Sequence, residues 1–187
     1  MKGSLIIIVT KSDAEIGGRV FGFANGLDQT YLKQFWKADD FGSYDGGGTH
    51  PLTLVGHANV SNFIKDMDTP LGPARYISGD TVANQLIARK LQATTFPFCL
   101  IAGCSAAERS GRSGLYINVG DVLGIPVVAS TTPMALGARG GAGFLQMTPQ
   151  DGGIWKVYYP AEQEVQALSS SRCGEIAAAL QRYVLRP

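Results

Sequence analysis

Phe98-Cys99-Leu100-Ile101-Ala102-Gly103-Cys104-Ser105 is a run of five apolar residues closed by a glycine, a cysteine and a serine. The run does not alternate with polar residues, as expected for a strand covered on both faces. Upstream, Pro51-Leu52-Thr53-Leu54-Val55-Gly56-His57 has the same form, a largely apolar strand ending in glycine and then a polar side chain. Further out, Leu5-Ile6-Ile7-Ile8-Val9 and Ile125-Pro126-Val127-Val128-Ala129-Ser130 read as two more core strands, and residues 153–159 as a late one. Helical stretches are expected between them. They fall at 14–24, at 27–37 with Leu27, Tyr31, Phe35 and Trp36 near i, i+4 spacing, behind Ser78-Gly79-Asp80-Thr81, at 115–123 and at 173–185. Residues 39–50, 58–77 and 133–143 read as loops, dense in turn formers. Apolar strands alternating with helices predict an α/β fold, a mostly parallel central sheet with helices on both faces.

The chain of 187 residues is one domain by length, spanning 1–187. With 45% hydrophobic and 17% charged residues it is globular rather than disordered. A net charge of +1 gives no overall basic field, so neither nucleic acid nor anionic membrane is an expected partner. The apolar stretch after Lys2 is too short for a signal peptide or a membrane span. Three cysteines without a C-x-x-C pair suit free thiols in a reducing compartment. The expected location is the cytoplasm, with export by a signal-peptide-independent route left open. The 24 glycines are nearly twice the roughly 13 that average usage of about 7% would give, which points to many tight turns or close backbone approaches.

Rarity sharpens the chemistry. The chain has 2 histidines and 3 cysteines, and only His57 and Cys104 both follow an apolar strand and a glycine. In a parallel sheet the carboxyl ends of neighbouring strands share one edge, where ligands bind. On that edge His57 serves as a base for the Cys104 thiol, turning it into a nucleophile. Gly56 and Gly103 allow sharp turns there, and the N–H groups of Ala58 and Cys104 can face a developing oxyanion. Asp39, Asp40 and Asp45 offer a carboxylate to orient His57, with Asp45 the chosen candidate. Cys99, Cys173 and His50 lack this setting and read as core, surface or loop residues. The glycine clusters at 46–48 and 137–143 lack the Lys-Ser/Thr of a phosphate loop, and no second ligand set suggests a metal.

The order Leu54-Val55-Gly56-His57, then Ile101-Ala102-Gly103-Cys104-Ser105 with 47 residues from His57 to Cys104, resembles the caspase-like cysteine peptidases. It is most similar to the self-cleaving cysteine protease domains of bacterial RTX and clostridial glucosylating toxins. Ile77-Ser78-Gly79-Asp80 before a helix, Val127-Val128-Ala129-Ser130 followed by Pro133-Met134-Ala135-Leu136, and Asp151-Gly152-Gly153-Ile154-Trp155 extend the likeness over residues 52–158. The resemblance implies a caspase-like three-layer sandwich and a cysteine endopeptidase acting on a protein or peptide substrate, in the role of a toxin or effector. It makes His57 the general base and Cys104 the nucleophile, and sets Ala102, Ser130 and Met134 at the substrate pocket. A small apolar Ala102 then suits an uncharged, Leu-like P1 side chain.

The sequence departs from that pattern in two places. The family carries glycine after the histidine, where this chain has Ala58, and a methyl group there is expected to crowd the oxyanion site. The toxin domains are activated by inositol hexakisphosphate, yet the corresponding late region offers only Arg139 and Lys156, with Arg172 and Arg182 further on. Six phosphates demand denser cationic contacts, so no cofactor or activator is expected. The chain starts at a strand with no leader in view, which suggests an enzyme acting in trans or an excised module. Two alternatives stand beside the peptidase: another thiol hydrolase such as a deamidase or glutaminase, and an inactive binding module on the same fold. The first usually places its histidine after the cysteine, and no histidine follows Cys104.

Overall fold

The computed structural model describes residues 1–11, 30–46, 50–66, 72–108, 113–136 and 147–168. In chain order it contains β1 (Ser4–Ile8), β2 (Thr30–Gln34), β3 (Leu52–Val55), β4 (Asn62–Asp66), β5 (Arg75–Ser78) and α1 (Gly79–Ala88). A short 3₁₀ turn at Ala93–Thr95 leads to β6 (Cys99–Ala102), α2 (Leu115–Leu123) and β7 (Val127–Ser130). β8 (Met134–Leu136), β9 (Met147–Pro149), β10 (Trp155–Tyr159) and β11 (Glu164–Ala167) follow. Seven of these strands form one sheet in the order β11-β10-β7-β6-β3-β1-β2. The five from β2 to β7 are mutually parallel, and β10 and β11 close one side antiparallel. This is an α/β fold with a mostly parallel central sheet.

β1, β3, β6 and β7 are buried on both faces, which is why these strands read as nearly continuous apolar runs. Leu5, Ile7, Val9, Leu52, Leu54, Cys99, Ile101, Val127 and Ala129 face one core. Ile6, Ile8, Val55, Leu100, Ala102, Val128, Trp155 and Val157 face the other. α1 and α2 both lie against the first face, burying Val82, Ala83 and Leu86 and Leu115, Val119 and Leu123. They approach so closely that a Cβ on Gly79 would come within 2.7 Å of the Leu115 carbonyl oxygen. α2 stops at Gly124, whose φ of 68° is the left-handed conformation that ends helices. Ser78 occupies the N-cap position of α1, but its hydroxyl pairs with the Thr81 hydroxyl at 2.8 Å rather than with helix backbone. Among the described residues, no helix is long and apolar enough to cross a membrane.

β1, β3, β6, β7, β10, α1 and α2 form where the sequence predicts them. The expected helix at 27–37 does not: Thr30–Gln34 is strand β2, parallel to β1. Tyr31 and Phe35 stand four residues apart, and that spacing shares a face at both the helical period and the period of two. Pairing with the buried β1 decides between them, and Phe35 N–H continues the ladder to Ile8 O. The expected loop at 58–77 contains a hairpin of β4 and β5, in which only Phe63 and Ile77 are buried. β8 begins within the expected loop at 133–143 and pairs with β9. The expected helices at 14–24 and 173–185 lie outside the described residues.

Candidate active site

The strand order reverses at β1, which has β2 on one side and β3 on the other. In such sheets the crevice at the carboxyl ends of the strands flanking the reversal is the usual binding place. Three chain segments leave the sheet there: Val9-Thr10 from β1, Gly56-His57 from β3 and Gly103-Cys104 from β6.

The β3–β6 register brings the strand ends that lead to His57 and Cys104 to the same edge of the sheet. Val55 pairs with Ala102, the last pair of the ladder, and Gly56 N–H closes that pair by donating to Ala102 O at 3.1 Å. His57 and Cys104 each lie two residues beyond the Val55–Ala102 pair, on the segments that leave these neighbouring parallel strands at the same edge of the sheet. Both residues are half-buried, and Cys104 carries a free thiol. Cys99, the other described cysteine, is fully buried, and desolvation pushes its thiol well above the usual thiol range. His50 sits before Pro51, at the opposite end of β3 from His57.

The backbone after each residue is held tightly. His57 O accepts from Ile64 N–H at 2.7 Å, and Asn59 N–H donates to Asn62 O at 2.9 Å. These two bonds flank the Ala58–Phe63 bridge, an arrangement that turns the N–H of Ala58 away from β4. The Asn59 side chain accepts from the N–H groups of Ser61 and Asn62, fixing the turn. Leu115 N–H at the start of α2 donates to Val60 O at 2.9 Å. Beyond Cys104, Ser105 adopts φ 52°, a left-handed conformation that costs a residue other than glycine roughly 1 kcal/mol. Its N–H donates to Thr132 O at 3.1 Å, and Ala107 N–H donates to Ser130 O at 2.9 Å. Among the described residues, neither the Cys104 N–H nor the Ala58 N–H is taken up by a backbone hydrogen bond.

The Ala58 methyl group lies against the segment that leads to Cys104. A Cβ built on Gly103 would lie 2.6 Å from the Ala58 Cβ, so the methyl is seated over the Gly103 backbone. Ala102 is buried and belongs to the same core face as the half-buried Met134. Ser130 follows Ala129, the partner of Ile101, and so stands beside Ala102. Ser130 is fully buried; its hydroxyl donates to Thr132 O at 2.9 Å and accepts from Thr132 N–H at 3.2 Å.

Asp45 must be corrected. It bridges Lys2 ahead of β1, whereas His57 lies beyond the level of Val9, whose N–H donates to Val55 O. Extended chain at about 3.3 Å per residue separates the two levels by roughly 20 Å. The carboxylate is instead 2.9 Å from the Met1 ammonium, which holds its pKa below the usual range. Asp40 is 3.8 Å from Lys90 and Asp39 is exposed. Lys156 is on β10, paired with Ala129 and Ala167, while Arg139, Arg172 and Arg182 lie outside the described residues. No group of three potential metal ligands occurs among the described residues.

Sequence reasoning passed over Thr10. It is 3% exposed, and its hydroxyl accepts from His57 N–H at 2.9 Å and donates to Ile64 O at 2.8 Å. A polar residue ending the apolar run of β1 at the sheet reversal was the available signal. Trp36 also lies at this edge, donating from Nε1 to Val9 O at 2.5 Å, with the Lys65 ammonium 4.4 Å from its ring centroid. No protein-family model and no curated protein matches the chain.

Proposed function

We propose that the chain is a cysteine endopeptidase on a caspase-like α/β fold, cleaving a protein or peptide substrate through Cys104 and His57. The observation that supports this reading is the β3–β6 register, whose last pair, Val55 and Ala102, stands two residues before His57 and Cys104 at the carboxyl edge of the sheet. His57 takes the thiol proton, and the Cys104 sulfur bonds to the scissile carbonyl carbon. Negative charge gathers on the carbonyl oxygen and is received by the N–H groups of Cys104 and Ala58, neither of which makes a backbone hydrogen bond among the described residues. His57 then protonates the leaving amine as the C–N bond breaks, leaving a thioester. Water, deprotonated by His57, attacks the thioester carbonyl; the C–S bond breaks, and the acid product and the thiol are released.

Ala102 and Met134 share one apolar core face, which favours an uncharged P1 side chain of leucine size. Histidine before cysteine in the chain favours this reading over a deamidase or glutaminase. The role in a bacterial toxin or effector rests on family resemblance alone. A cleavage profile over a peptide library, run with wild type and Cys104→Ala, tests the activity. The expected result is cleavage after small or medium apolar residues that vanishes in the variant. Cleavage by Cys104→Ala at the wild-type rate overturns the reading.

A further inference from the structure

We propose that Thr10 is a positioning residue whose hydroxyl holds the His57 main chain where the imidazole can serve Cys104; the inference rests on the dyad reading above. Three hydrogen bonds close a ring across three segments. Thr10 Oγ1 accepts from His57 N–H at 2.9 Å and donates to Ile64 O at 2.8 Å, and Ile64 N–H donates to His57 O at 2.7 Å. Both main-chain polar groups of His57 are thereby tied down, one to the end of β1 and the other to β4. The hydroxyl has a single proton, and that proton and a lone pair are both committed. With Thr10 only 3% exposed, water is a poor substitute for either bond.

Gly56 shows what the arrangement requires. A Cβ at this position would lie 2.7 Å from Thr10 Oγ1 and 3.2 Å from Thr10 N, so glycine is what admits the threonine beside His57. Gly56 N–H meanwhile bonds to β6 at Ala102 O. Successive N–H groups thus tie this segment to the strand bearing Cys104 and to the end of β1. Valine has the shape of threonine without the hydroxyl, and it removes both Thr10 bonds with little change in volume.

The test compares wild type, Thr10→Val, Thr10→Ser and His57→Ala in two measurements. One is the iodoacetamide alkylation rate at Cys104, read by peptide mass between about pH 5 and 10. The other is kcat and KM on a library-selected peptide. Thr10→Val is expected to lower kcat about 10-fold at unchanged KM, and to displace the alkylation profile towards that of His57→Ala. Thr10→Ser restores both. A folded Thr10→Val protein with wild-type kcat and profile overturns the inference while a displaced His57→Ala profile leaves the dyad standing. A His57→Ala profile identical to wild type overturns the dyad and Thr10's role with it. If Thr10→Val does not fold, Thr10→Ala carries the same comparison, since it deletes the hydroxyl without adding bulk.

Discussion

Ala58 and Gly103 meet across the open end of the β3–β6 pair, so closely that a Cβ on Gly103 would lie 2.6 Å from the Ala58 Cβ and 3.0 Å from Gly56 O. The segments bearing His57 and Cys104 are therefore in contact through their backbones, and the glycine in one matches the methyl group in the other.

Gly103→Ala forces those segments apart. Overpacking of this kind costs about 1–3 kcal/mol, and the displacement falls on Cys104. Denaturant melts are expected to show that loss, and peptide cleavage to fall more than 10-fold. Adding Ala58→Gly relieves the 2.6 Å contact but leaves Gly56 O at 3.0 Å. The double variant should regain part of both losses, giving a coupling energy measurable by a double-mutant cycle.

Burial separates two cysteines five positions apart in the chain. Cys99 is fully buried and its thiol is pushed strongly upward by desolvation, while Cys104 is half-buried at the sheet edge. Folded protein treated with iodoacetamide near neutral pH is expected to label Cys104 and to spare Cys99 until denaturant is added. The raised thiol also fixes a sign. Above about pH 9, its ordinary value, Cys99 ionises in the unfolded chain but stays protonated in the folded one, so stability falls as pH rises. Cys99→Val should flatten that alkaline decline in melts recorded across this range.

Thr132 joins the turn after Cys104 to the turn before β10. Its carbonyl accepts from Ser105 N–H at 3.1 Å, and its hydroxyl donates to Gln150 O at 2.8 Å. A Cβ on Gly153 would sit 1.9 Å from Thr132 Oγ1, an impossible contact. Gly153→Ala should therefore lower both stability, by about 1–3 kcal/mol, and cleavage, because the shift of Thr132 reaches Ser105. Gly124→Ala is the control. Gly124 has φ 68° with nothing within 4 Å of its Cβ direction, so it should lose about 1 kcal/mol of stability and no activity per folded molecule.

What could be read from the sequence followed the strength of local patterns. The β1, β3, β6 and β7 runs announce themselves because both faces of each strand are buried, leaving almost no polar interruption. β2 was obscured because Tyr31 and Phe35 satisfy two periodicities, and the deciding partner, β1, lies more than twenty residues earlier. β4 and β5 bury one side chain each, too little apolar signal to stand out from loop. Rarity and matching glycines single out His57 and Cys104 in the sequence, and the β3–β6 register carries the strand ends before them to one edge of the sheet. Asp45 was misplaced because a loop's sequence does not say which end of the sheet it crosses. Thr10 was missed because a buried threonine bonded to backbone leaves no spacing to detect; only the fold brings it to His57.

The central claim is that Cys104 and His57 act as one unit, and covalent capture tests it most directly. A peptidyl electrophile with leucine at its reactive end, incubated with the folded protein, should add one equivalent to Cys104, read by intact mass and fragment mapping. The account predicts that His57→Ala slows this adduct about 100-fold or more, within the range contributed by a general base. Equal labelling of wild type and His57→Ala, or an adduct on another residue, would contradict it.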